Sequence, residues 1–512
     1  MTIADDPIAE AAFVSRARTP RWRAWGDVAV GGLVVAFFAL TFWLAATLNI
    51  WQDEWYSLRT TSRDLGFAWT TALQFESIPP LYPLVLDLWR HANGSVFFAR
   101  SLSIVCVAAT AFLGWRFTGR HLPRVPPAAV AAALAFNPFS IFAAVEIRLY
   151  AMALLLSAAF VATFFSAFMD VAPKPRDRIV FAVVAIVAVY VQYFNAVLLV
   201  GGFLALLILR RRRALRTYAL ASIVVVAVCS PIASFIAHQL DVPRSLEAQR
   251  VELLPIVETA FSFAFPHGAF VNWFSDRRNL AYDLGVFFAI ASILGARPRL
   301  TASVRALSVF IITGIAFYPV ATIVLHQTFV FPRHAVVLVV PVVLVVFAVL
   351  DGIEMRRTFA RSAYLLVYAL CTVAALVVTY RGLAKPGDFR RAATFVREHA
   401  RASERVYAFD QEMAGPLAFY DLGPHTIVPL PAPQHFDRFD VRRFSFRSVA
   451  EVRARLGSIQ PGTHLMLYRG DVCYDIADQY GCRFLEEVVR SDFRTVASIE
   501  LDSANVRELV RL

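Results

Sequence analysis

Asp53 and Glu54, side by side in LNIWQDEWYSLRTTSRD, stand just beyond a stretch that carries no charge between Val28 and Leu48. A carboxylate held against a reacting hydroxyl can take its proton, but an acidic pair at a membrane boundary can equally be a solvated loop. Glu146, Arg148 and Tyr150 fall together in FNPFSIFAAVEIRLYAMALLLS. Ionisable side chains that near hydrocarbon are costly unless paired or lining a polar cavity, so Glu146 and Arg148 either satisfy each other or face such a cavity. Arg333 and His334 open another apolar run, in HQTFVFPRHAVVLVVPV. A guanidinium grips two phosphate oxygens at once. The competing role for Arg333 is an interfacial side chain laid along lipid, and His334 reads as a packed interfacial residue.

The elements that must position these groups are membrane helices. The chain has 512 residues, 58% hydrophobic and only 17% charged, too little polar surface for a soluble protein of this size. Apolar runs near the roughly 20 residues that cross hydrocarbon predict eleven spans, near 27–48, 96–117, 126–145, 149–169, 179–193, 196–210, 217–237, 280–296, 306–325, 334–352 and 362–380. The fifth and sixth are split at QYFN into a hairpin, whose Gln192 and Asn195 are ordinary turn residues. The formal charge of +12 is mostly Arg and sits in short clusters between apolar runs. Such clusters set topology more often than they bind nucleic acid, so no nucleic-acid partner is expected. Arg16–Arg23, Arg116–Arg124, Lys174–Arg178, Arg210–Arg216, Arg297–Arg305 and Arg356–Arg361 all fall on the cytoplasmic side when the N-terminus is inside. The polar, Arg-bearing leader SRARTPRWRAWGD precedes a full-length span and reads as the flank of an anchor. The segment 78–91, with Asp87 and Arg90, is too short and too charged to cross; it is predicted as an interfacial helix on the outer face. Asp53 and Glu54 then lie in the first external loop, about 49–95.

The expected fold is an all-α polytopic membrane bundle, residues 1–383, with a small extracytoplasmic α/β domain, 384–512. That tail alternates helical patterns such as DFRRAATFVREHA with strand-like runs in RVYAFD, THLMLYRG and TVASIELD. Cys473 and Cys482 are predicted to pair there, in an oxidising compartment. Cys106, Cys229 and Cys371 read as buried small hydrophobes. The absence of a CxxC pair argues against a zinc ribbon. No repeat of 20–50 residues is visible, which disfavours a secondary transporter.

Four pieces in order, QDEWYSLR, FESIPPLYPLVLDLW, FFARSLSIVCVAATAFLGWRF and FNPFSIFAAVEIRLYAMALLLS, resemble the GT-C glycosyltransferases of the protein O-mannosyltransferase type. The bacterial relatives of that group include aminoarabinose transferases and rhizobial galacturonosyltransferase-like enzymes. The resemblance covers about residues 27–210 by motif and the remainder by architecture. It implies an enzyme of cell-envelope glycan biosynthesis in the cytoplasmic (inner) membrane, moving a sugar from a polyprenyl-phosphate-linked donor to an acceptor on the outer face. The acceptor class stays open among a glycolipid such as lipid A or core oligosaccharide, a cell-wall polysaccharide, and a protein. Asp53 matches the family's catalytic Asp and takes the base role, with Glu54 orienting the loop or acceptor. Glu76, Tyr82, Glu146, Arg148 and Tyr150 are candidate substrate contacts, and Arg333 falls where relatives place a residue near the donor phosphate.

The chain departs from the pattern at Ile78, where many relatives carry His before the two prolines. That puts a bound metal in doubt. Glu76 and the remote His267 are isolated ligand-type residues, a poor metal signature, so no cofactor is certain and a divalent metal is left open. A flippase or transporter of a lipid-linked saccharide is the alternative reading. Transporters place ionisable sites near mid-membrane, whereas these cluster at the outer boundary.

Overall fold

Long apolar runs interrupted by Pro, Gly and basic clusters fold as helices, because in hydrocarbon each backbone N–H and C=O must be satisfied within its own segment. The computed structural model describes residues 20–240, 254–266, 280–325, 332–354, 358–401, 404–437, 440–470, 473 and 480–512. A helix covers each of the eleven predicted apolar stretches. Among the described residues, six helices are long and apolar enough to cross a membrane alone, and seven if the bent pair Pro127–Phe136 and Pro138–Ala144 forms one span. The helices Pro175–Val191, Ala196–Ile208, Leu280–Gly295 and Val336–Asp351 are shorter. The chain is a multi-pass membrane protein; among the described residues length and composition alone support six or seven crossings, and the expected eleven would need the shorter apolar helices to cross as well.

The bent pair places the Glu146–Tyr150 segment. Pro138 has no N–H to continue the preceding helix and forces Asn137 toward extended backbone; the axes turn by 60° there. The Asn137 side chain accepts from the Phe139 N–H at 3.0 Å and donates to the Phe263 carbonyl and the Tyr368 hydroxyl. The second limb ends at Ala144, and a short turn carries Glu146 and Arg148 to the helix that begins at Tyr150.

The first loop is largely helical. Gln52–Thr60 forms a helix with Asp53 and Glu54 in its first turn, where acids suit the positive end of the dipole. Neighbours on a helix point about 100° apart, so the two carboxylates diverge. A helix from Leu65 to Thr71 runs into a wider turn, Ala72–Glu76, which ends at Ser77 in the left-handed region. Pro79 and Pro80 then open the helix Leu81–Arg90, which buries Tyr82, Pro83, Leu86 and Asp87 and leaves Leu88 exposed.

The tail is a five-stranded sheet between helices. Strands β1 (Val406–Phe409), β2 (Ile427–Leu430), β3 (His464–Arg469), β4 (Phe493–Leu501) and β5 (Ala504–Arg511) take the order β2-β1-β3-β5-β4, with β1 parallel to β2 and β3 and the other two pairings antiparallel. Side chains alternate between faces. Met466 and Tyr468 pack with the helix Phe389–His399, which presents Phe389, Ala392, Ala393 and Val396 at helical spacing. Leu465 and Leu467 pack with the helices Val449–Leu456 and Cys482–Asp492 on the other side. The predicted runs became β1, β3 and β4, and Cys473 and Cys482 are disulfide-bonded.

The tail sits on the first loop. The Tyr56 hydroxyl donates to Glu412 and accepts from the Gln434 amide. Phe436 packs between Trp55 and Phe75, with the Arg59 guanidinium 3.6 Å over its ring. Gly415 lies against the Trp55 indole so closely that an added Cβ would come within 2.2 Å of it. Gly415→Ala should therefore pry the tail from the loop and cost about 1–3 kcal/mol. Thermal unfolding in detergent is the check. Gly94→Ala, where a Cβ meets nothing within 4 Å, should be almost silent, and equal midpoints for the two variants would contradict the packing.

Candidate functional site

Glu54 is fully buried. Arg100 meets it with a two-pronged contact, Nε to Oε1 at 2.9 Å and Nη2 to Oε2 at 2.8 Å. The remaining Arg100 N–H groups donate to the carbonyls of Ala45, Leu48 and Asn49, so one guanidinium closes the C-terminal end of the first membrane helix and holds the loop acid. Lys385, just past the last membrane helix, puts Nζ 2.8 Å from Glu54 Oε2, Glu146 Oε1 and the Val145 carbonyl. All three of its N–H bonds are used. The Ile147 N–H donates to Glu54 at 3.1 Å, and Trp51 Nε1 donates to Glu146. Two carboxylates and two cations form a formally neutral, closed quartet.

Electrostatics separates the two acids. Burial pulls the Glu54 carboxyl up, but Arg100 and then Lys385 outweigh it and hold Glu54 below the ordinary carboxylate range. Burial pushes Glu146 up to about 7; Lys385 opposes this, and the Glu54 charge adds to it. Burial and Arg100 pull the Lys385 ammonium below its usual value. Glu54 keeps its charge, and Glu146 is the acid that gives its charge up more readily.

Asp53 belongs to a second cluster. The Arg148 guanidinium lies between Glu76, to which Nη1 donates, and Asp53, whose Oδ2 is 3.6 Å from Nε. Glu76 also accepts from the Thr60 hydroxyl, and Arg148 Nη1 reaches the Ser57 hydroxyl at 3.2 Å. Burial works against the Arg148 charge, but Asp53 and Glu76 raise it well above the usual arginine value. The Tyr150 hydroxyl lies 3.4 Å from Asp53 Oδ2. Tyr82 is buried, with a hydroxyl that makes no hydrogen bond and an electrostatic interaction with Arg148. Here two carboxylates share one cation, and Asp53 is the less enclosed, its side chain 15% exposed against 2% for Glu76.

The expected site residues are thus divided between two clusters. The loop helix separates the two acids: it buries Glu54 completely and leaves the Asp53 side chain partly exposed. Glu146 and Arg148 do not pair with each other: Glu146 meets Lys385 and Trp51, and Arg148 meets Asp53 and Glu76. The two Glu76 oxygens accept from Arg148 and from the Thr60 hydroxyl. His267 and the Arg333 side chain lie outside the described residues. Arg100 and Lys385 escaped the sequence reading. A charge five positions into an apolar span was the available signal for Arg100, and Lys385 is one of only two lysines.

No family model matches the chain, and neither does any curated protein. Two solved structures share its fold over nearly its whole length. ArnT from Cupriavidus metallidurans bound to undecaprenyl phosphate superposes with a TM-score of 0.57 at 14% identity, covering 95% of this chain and 98% of that one. The apo form of the same protein gives 0.51 at 16% identity, covering 93% and 98%. The chain therefore has an ArnT-like fold.

Removing one member of a buried ion cluster leaves an uncompensated charge. Lys385→Met should thus lower stability by about 3–5 kcal/mol. Adding Glu146→Gln restores neutrality around the Glu54–Arg100 pair and should recover a coupling of about 1–3 kcal/mol. Thermal midpoints of the parent, both single variants and the double variant check this; strictly additive losses would contradict the closed quartet.

Proposed function

We propose that the protein is an integral-membrane glycosyltransferase that moves a sugar from a polyprenyl-phosphate-linked donor to an acceptor hydroxyl on the outer face of the cytoplasmic membrane. The observation that carries the reading is the asymmetry among four clustered carboxylates. Glu54, Glu146 and Glu76 are enclosed and hydrogen-bonded to cations, whereas Asp53 stands at the rim with its orientation fixed by Arg148 and Tyr150. A base that must meet an incoming hydroxyl needs that combination of access and fixed direction. The ArnT-like fold supports the donor class, since one of the two ArnT structures was solved with undecaprenyl phosphate bound.

Asp53 takes the acceptor proton as the new bond to the anomeric carbon forms. The bond from that carbon to the phosphate oxygen breaks, and the lipid phosphate leaves with the electron pair. Arg148 and Tyr150 orient Asp53. Glu54 acts through the fold, as the anchor of the helix that carries Asp53. With Arg148 engaged by two carboxylates, the charge that a departing phosphate requires falls to Arg333. Residues 1–383 form the membrane domain, 384–512 lie outside, and the tail resting on the loop helps select a glycolipid, polysaccharide or protein acceptor.

Two measurements check this reading. A reporter active only in the cytoplasm, fused after Leu512, should be silent; strong activity would place the tail, and Asp53 with it, on the wrong side. In proteoliposomes, Asp53→Asn should fold normally and bind donor but lose about 10²–10⁴ in transfer rate. Glu54→Gln should instead lose stability, because it strands Arg100 and Lys385. Transfer by Asp53→Asn within a few-fold of the parent would remove Asp53 from the chemistry, and lipid-saccharide translocation without transfer would favour a flippase.

A further inference from the structure

Glu404, His464 and Glu508 converge at one end of the tail sheet. Glu404 lies two residues before β1, His464 opens β3, and Glu508 lies midway along the antiparallel β5, paired with Met466. These strands are adjacent, so the three side chains come from three neighbouring segments. Their ligand atoms all lie within 4.8 Å of one another, the one such group of three or more among the described residues.

The distances have a pattern. His464 Nδ1 is 2.8 Å from Glu508 Oε1 and 3.8 Å from Glu404 Oε1. Zinc bonds of about 2.0–2.2 Å place neighbouring tetrahedral ligands about 3.3–3.6 Å apart, a spacing these two values straddle. Glu404 supplies the independent sign. The residue is 6% exposed, and its Oε1 is buried without a hydrogen bond. The other oxygen accepts from the Arg401 N–H at 3.0 Å, which fixes the carboxylate so that Oε1 faces the imidazole. The nearest cation is Arg401 Nε at 3.6 Å, on a side chain 67% exposed that can swing into solvent. A buried carboxylate oxygen with no donor is costly, and an ion between Glu404 and His464 removes that cost.

We infer that Glu404, His464 and Glu508 form a divalent transition-metal site, best suited to Zn²⁺, that staples the β1, β3 and β5 segments of the tail together. One imidazole and two carboxylates make a mixed nitrogen and oxygen set, which suits zinc better than the all-oxygen shells of calcium or magnesium. Partial exposure of His464 leaves the fourth position to water. Binding uses the Nδ1 lone pair, so the bound imidazole carries its proton on Nε2. This site is separate from the Asp53 cluster and does not depend on the proposed transfer reaction.

The test uses the full chain in detergent, stripped of metal and dialysed against Zn²⁺, with Mg²⁺ and Ca²⁺ as comparisons. The parent should retain one Zn²⁺ per chain and melt higher with it, and Mg²⁺ or Ca²⁺ should do neither. Glu404→Gln keeps the His464–Glu508 contact and the acceptor for the Arg401 N–H. Its metal-free form should melt no lower than the metal-free parent, while its zinc affinity falls at least about tenfold. His464→Ala should abolish binding, and if that variant does not fold, Glu404→Gln decides alone. A parent that retains no zinc, or a Glu404→Gln protein that binds zinc as tightly as the parent, would overturn the site.

Discussion

A carboxylate removed from water costs several kcal/mol unless cations and hydrogen bonds replace its hydration, and at Glu54 that demand organises the fold. The acid is met by Arg100 from the second membrane helix, Lys385 from the start of the tail and the Ile147 N–H from the turn after the bent helix pair. Four segments far apart in the chain must arrive together before any of these charges is satisfied. Arg100 also closes the end of the first helix through three carbonyls, so the loop helix has a fixed origin as well as a fixed face.

Asp53 inherits its position from that arrangement. Because Glu54 is pinned inward, the residue before it on the same helix must point another way, toward Arg148 and Tyr150, which set its direction. The tail strengthens the constraint from the other side: Trp55, Tyr56 and Arg59 pack under Gly415, Glu412 and Phe436, and the Tyr420 hydroxyl accepts from the Ile50 N–H at 2.7 Å. Lys385 joins the two parts. It belongs to the tail by position and to the membrane domain by contact, so docking of the tail and closure of the quartet are one event.

Much of this was legible in the chain. Apolar runs marked where the membrane helices lie, and alternation marked three of the five strands. Ionisable residues beside hydrocarbon pointed to the Glu146–Tyr150 turn, because such residues persist only when paired. Partner choice was not legible. Glu146 and Arg148 are two positions apart, which suggested a pair, yet a short turn sends one to Lys385 and the other to Asp53 and Glu76. Lys385 reads as an ordinary charge after the last span, and only the folded tail brings it to Glu54. Strands β2 and β5 were missed for different reasons: IVPL is four residues with a proline inside it and another just after it, and ANVRELVR carries charges at positions that pair within the sheet.

The account centres on Asp53 as the group that faces the reacting centre while Glu54 holds the fold. The most direct measurement is an experimental structure of the full chain with a polyprenyl-phosphate sugar bound in a lipid nanodisc. The account predicts the sugar's anomeric carbon beside the Asp53 rim, leaving space for an acceptor hydroxyl within about 3 Å of the carboxylate, with Glu54 still enclosed by Arg100 and Lys385. A donor bound with its sugar away from Asp53, or Glu54 released from its cations to meet it, would contradict it.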